Sequence, residues 1–118
     1  MKIVTIADVP KEEHATPLFT GPDVTKQSFA LDSKDFRLGI INFGKGVRNK
    51  WHAHSVDQIL IITGGRGYVA TETETREVKT GDVICVHAGE KHWHGAADDS
   101  EFSHIAITPA GRKTLPME

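Results

Sequence analysis

The chain has 118 residues, 25% of them charged, and a formal net charge of −2, which fits one domain around one core and gives no reason to expect nucleic acid or a membrane surface as a partner. Its single cysteine, Cys85, excludes an intrachain disulfide framework and agrees with a reducing cytoplasm. No apolar run approaches the roughly 20 residues that span a bilayer, and "MKIVTIADVPKEEH" turns charged too early for a signal peptide, so a cytoplasmic protein is expected.

The first 35 residues are the least regular. "KIVTI" could form a strand, and "TPLFTGPDV", with Pro17, Gly21 and Pro22, reads as a loop or turn. Over residues 36–108 come short stretches rich in β-branched residues: "FRLGIINF", "DQILIIT", "RGYVATET", "REVKTGDVICVHAG" and "FSHIAIT". Turn residues separate or end them at "FGKG", "TGGRG", "KTGD" and "HAGE". Short strands at such spacing predict an all-β sandwich or barrel. "TGGRG" reads as a tight turn between strands, not as a phosphate cradle. The tail at 109–118, "PAGRKTLPME", is polar and is expected to be loosely attached.

Side chains on a strand alternate between faces. In "DQILIIT", Gln58, Leu60 and Ile62 therefore share one face, and Ile59 and Ile61 the other. If Gln58 points inward, two isoleucines point outward. A second subunit covering them would make a homodimer; the N-terminal segment could equally cover them within one chain.

Six of the seven histidines lie between His52 and His104. In "WHAHSVDQ", His52 and His54 share a face, and Gln58 follows at the same parity with an amide oxygen. "GEKHWHG" adds His92 and His94 in the same relation. Imidazole ligates zinc, copper, iron and nickel, and these donors suffice for a three- or four-ligand site with open positions.

The motifs are now specific enough to name a resemblance. The chain reads Gly46, "VRNKW", His52, Ala53, His54, "SVD", Gln58, "ILIITG", Gly65, and later Gly81, "DVICV", His87, Ala88, Gly89, "EK", His92, "WHG", Ala96. It is identified as a member of the cupin superfamily, resembling compact single-domain microbial cupins. A usual glutamate is replaced by Gln58, a proline by His87 and an asparagine by Ala96. The resemblance implies a jelly-roll β-barrel of two packed antiparallel sheets. It implies a divalent metal held by His52, His54, Gln58 and His92.

Within the superfamily, "FTGPDV", "WHAH", "GEKHWHG" and "SHIAI" together resemble a subgroup that includes manganese-dependent hydroxynitrile lyases. By that resemblance manganese or iron is favoured, with zinc, nickel or copper open by ligand type. His94 and His104 match histidines implicated in acid–base work. A threonine and a glutamine of those lyases are replaced by Asn49 and Thr108.

The implied function is a metalloenzyme with Lewis-acid lyase chemistry on a small organic substrate. The alternatives are a metal-dependent oxygenase and a non-catalytic binding or sensing domain. The cavity wall is expected to include Phe36, Leu38, Ile40, Leu60, Ile62 and Phe102. His87 is expected not to bind the metal, Trp51 and Trp93 to be packing residues, and Cys85 to be a cavity or core thiol. Arg48 and Lys50 read as a solvated loop that could attract an anion.

Overall fold

The computed structural model describes residues 1–118. Ten strands are present: β1 (Glu12–Glu13), β2 (Val24–Ser28), β3 (Phe36–Phe43), β4 (His52–His54), β5 (Gln58–Thr71), β6 (Thr75–Lys79), β7 (Val83–Val86), β8 (His92–Ala96), β9 (Phe102–Pro109) and β10 (Thr114–Pro116). All pairings are antiparallel. They form two sheets that curl into the barrel the sequence predicts. One sheet runs β1-β2-β3-β9-β5-β7, and the other runs β6-β5-β8-β4-β10.

Strand β5 belongs to both sheets. Its first half pairs with β7 and β9, and its second half with β6 and β8. The crossing falls at "TGGRG", which is therefore not a tight turn. It is a bend within one strand, with a register shift between Ile62 and Gly64. Gly65 carries φ +67°, and a Cβ there would meet the Glu101 carbonyl oxygen at 1.7 Å. Only a glycine lets the strand turn this corner against the segment that leads into β9.

The ends of the chain differ more from expectation. "KIVTI" forms no strand; a short 3-10 helix, Ile6–Asp8, begins at its last residue. The N-terminal region instead supplies β2, which pairs with β3 along its length. "TPLFTGPDV" is a loop up to Asp23, with one bridge from Phe19 to Asn49, and its Val24 opens β2. The tail is not loose: β10 pairs with β4, placing Thr114 opposite His54. No helix is long and apolar enough to cross a membrane.

Between the sheets lies a core of Phe19, Val24, Phe43, Ile62, Val78, Ala96 and Phe102. Phe43 joins it to the histidines: its ring lies 5.8 Å from Phe19 and 5.8 Å from His94, centroid to centroid. Gln58, Leu60 and Ile62 point inward and are buried, while Ile59 faces out with 39% of its surface exposed.

Candidate metal centre

Strand β4 presents His52 and His54 from one face, and β8 brings His92 directly opposite His52 in the ladder. All three are buried. One ligand nitrogen from each lies within 4.8 Å of the others. Each ring is held from behind. The Nδ1–H of His52 donates to the Lys50 carbonyl at 2.6 Å, and that of His92 to the Glu90 carbonyl at 2.8 Å. Nδ1 of His54 bonds the Thr114 hydroxyl at 3.2 Å. A carbonyl oxygen only accepts, so Nδ1 carries the proton in His52 and His92, and Nε2 is left as a lone-pair donor.

The inward atoms have nothing to bond. Nε2 of His54, Nε2 of His92 and Oε1 of Gln58 are buried without a partner. Buried polar atoms seldom remain unpaired in native proteins. Here the histidine nitrogens converge, Gln58 lines the cavity beside His52 and His54, and the donor set suits a divalent cation. The residues present therefore fit a metal. Burial, the chief cause, pushes the pKa of His52 down to about 4 and that of His54 to about 3. Both rings are thus neutral near pH 7, the form that ligates.

His94 and His104 stand beside this group, their ring centroids 4.8 Å apart. His94 is clamped by Asn49, whose Oδ1 accepts the His94 backbone N–H at 2.8 Å. The Asn49 amide donates to His94 Nε2 at 3.1 Å. The ring proton of His94 therefore sits on Nδ1, which is buried and unpartnered. Both ring nitrogens of His104 are buried and unpartnered. Desolvation by burial pushes the pKa of His94 well below its ordinary value and that of His104 down to about 4.

These side chains border a cavity of about 130 Å³, closed on the apolar side by Leu18, Phe19, Ile41 and Phe43. The expected wall is corrected here. None of Phe36, Leu38, Ile40, Leu60, Ile62 and Phe102 lines this cavity. Phe36, Leu38 and Ile40 have the opposite parity on β3 to Ile41 and Phe43, and Phe36 is exposed. Leu60, Ile62 and Phe102 are buried in the packing around the cavity. Thr108 is buried on β9 outside the cavity.

Trp51 and Trp93 pack edge to face outside the cavity, 6.4 Å between centroids. Arg48 is not free in a loop: it stacks on Trp93 and pairs with Glu118. Neither Arg48 nor Lys50 lines the cavity. Cys85 is exposed, neither a cavity nor a core thiol. It lies with Asp57 and His87 in an exposed group, away from the central donors. Asn49 and Thr114 act on the site but carry no motif of their own. His14 and Arg112 line the cavity from the two terminal segments.

Comparison with known proteins agrees with this architecture. The family model described as Cupin domain matches residues 39–108. An (R)-mandelonitrile lyase from Granulicella tundricola is 38% identical over 92 residues, 77% of this chain. The chain spans 63% of that relative's length. A cupin-like protein from Thermotoga maritima superposes with a TM-score of 0.78 at 31% identity, covering 88% of this chain and 84% of that one. The polyketide cyclase RemF from Streptomyces resistomycificus shares the fold, with a TM-score of 0.88 at 18% identity over 100% of this chain and 86% of its own.

Proposed function

The chain belongs to the cupin-domain family, and on that footing we propose that it is a metal-dependent lyase acting on a small organic substrate, with chemistry like that of a hydroxynitrile lyase. The observation that carries the reading is the convergence of His52, His54 and His92, with the facing nitrogens of His54 and His92 buried and unpartnered and the unpartnered Gln58 oxygen belonging to the same cavity wall as His52 and His54. His52, His54, Gln58 and His92 would hold a divalent metal, manganese or iron by resemblance and zinc, nickel or copper by donor type, which when bound would supply a Lewis acid.

The chain's own residues then handle the protons. His104 has two free ring nitrogens, so one lone pair accepts the proton of a substrate hydroxyl. As the carbonyl forms and the carbon–carbon bond to cyanide breaks, the His94 Nδ1–H holds the departing cyanide by a hydrogen bond and the proton taken up by His104 passes to it, so hydrogen cyanide leaves and both rings end neutral. Asn49 keeps that proton on Nδ1 by donating to Nε2. The low pKa of both rings leaves them neutral near pH 7, so one is available as base and the other as a neutral donor. The apolar side of the cavity excludes water from the leaving group. The enzyme is proposed to work in the cytoplasm and as a homodimer, the dimer being supported by outward-facing Ile59.

Protein loaded with manganese should release benzaldehyde and cyanide from mandelonitrile under strict anaerobiosis. His94→Ala and His104→Ala should lower the rate with metal content unchanged. Turnover that stops without dioxygen would transfer the site to oxygenase chemistry. Tight binding of cyanohydrins or carbonyls with no turnover would make it a sensing domain.

A further inference from the structure

The concave face of the barrel does not end at the metal cavity. Inward parity continues along β9 from His104 through Ala106 to Thr108, and along β3 from Phe43 through Ile41 to Arg37. Lys26, the ladder partner of Ile41, stands on the same face. A groove of about 340 Å³ opens there, and His14, Lys26, Arg37, Thr108 and Arg112 line it. His14, Ile41, Ala106 and Arg112 line both spaces, so the groove leads into the cavity.

The charge around this path is one-sided. No aspartate or glutamate lines the groove or the cavity, in a chain with 16 acidic residues against 14 basic ones. Lys26, Arg37 and Arg112 take part in none of the ion pairs. Glu12 faces Lys26 in the ladder without pairing with it or lining the groove. The Arg37 guanidinium bonds only the carbonyls of Ser33 and Phe36, which leave its charge uncompensated. The charge of Arg112 reaches inward: it helps lower the pKa of His14, His52 and His54. The metal donors are neutral too, so nothing inside offsets these cations. Unpaired like charges repel, and an anion entering among them relieves the repulsion.

We propose that this groove binds the carboxylate of a small organic acid whose other end reaches the metal cavity. The proposal rests on the metal-centred function above and gives it a substrate class. Arg112, at the junction of the two spaces, offers the planar fork that matches a carboxylate. The Thr108 hydroxyl, the Lys26 ammonium and the Arg37 guanidinium line the rest. A neutral nitrile leaves all of these groups unused, so the preferred substrate of this chain is charged.

Calorimetric titration with mandelate and with mandelamide, which share ring and hydroxyl but differ in charge, tests the assignment. Mandelate should bind about tenfold more tightly or better, the worth of one charge-assisted hydrogen bond. The preference should shrink as salt rises. Arg112→Gln, and separately Lys26→Gln with Arg37→Gln, should abolish most of it while metal content stays constant. Equal affinity for the two probes, or a preference that survives all three substitutions, overturns the groove assignment even if the metal loads. A preference that persists in protein shown by elemental analysis to take up no metal upholds the groove and removes the metal-centred reading instead.

Discussion

Asn49 spans the backbone and the ring of one histidine, through its carbonyl oxygen and its amide nitrogen. Asn49→Ala should leave buried His94 groups unpaired and cost about 1–3 kcal/mol of stability. With its proton no longer fixed on Nδ1, the pH–rate profile should shift while metal content holds; an unchanged profile would make Asn49 merely structural. Gln58→Glu adds a negative charge beside the cation. Metal should stay bound but anion affinity should fall, and unchanged binding of azide would sink that argument. The buried rings also set an acid limit. Burial holds His104 at about 4, whereas an unfolded histidine titrates near 6.5. Below that pH the unfolded state binds more protons, so stability is full above about 6.5 and falls as pH drops toward 4. The slope is roughly 1 kcal/mol per pH unit for each such histidine. Urea denaturation of metal-free protein at pH 7, 6 and 5 should show the fall, and His104→Leu should make it shallower by one histidine's share, since His52, His54, His92 and His94 are also held low by burial.

Among the elements, β5 depends on one position. Gly65→Ala combines a left-handed φ with an overlap on the Glu101 carbonyl. It should lower the thermal midpoint sharply or prevent folding, whereas Gly81→Ala, with φ +96° but open space around it, should cost only about 1 kcal/mol. Strand β10 orients a ligand. Thr114→Val keeps the strand and removes the hydroxyl behind His54, so metal affinity, measured by competition with a chelator, should fall about 10- to 100-fold. The donors were legible in sequence because their parity is local: His-x-His needs only the period of a strand. The wall on β3 was not legible. "FRLGIINF" is apolar on both faces, so alternation gives no sign of which face is inward. β10 escaped because three residues ending in proline hold their place only through a partner far away in the sequence. "TGGRG" was misread because glycines that end one strand and glycines that bend one look alike.

For the whole molecule, the outer face of the first sheet is the exposed apolar surface of most consequence. Ile59 pairs with Ile107 and Ile61 with Ile105, and Leu38 extends the same face onto β3, where Ile40 beside it is already buried. Val83 at 65% exposure and Phe36 at 52% border it. Sedimentation should therefore report a dimer, and Ile59→Asp with Val83→Asp a monomer; a monomeric parent protein would mean that the patch has another use. The pairing of β4 with β10 has a temporal side. Synthesis proceeds from the N-terminus, and Thr114 follows His54 by 60 residues. The emerging chain makes the three histidines of the proposed metal site well before the hydroxyl that aims one of them. On the proposed metal reading, tight capture is thus deferred until translation has passed Thr114, and the choice among competing cations falls to the folded barrel rather than to the nascent chain.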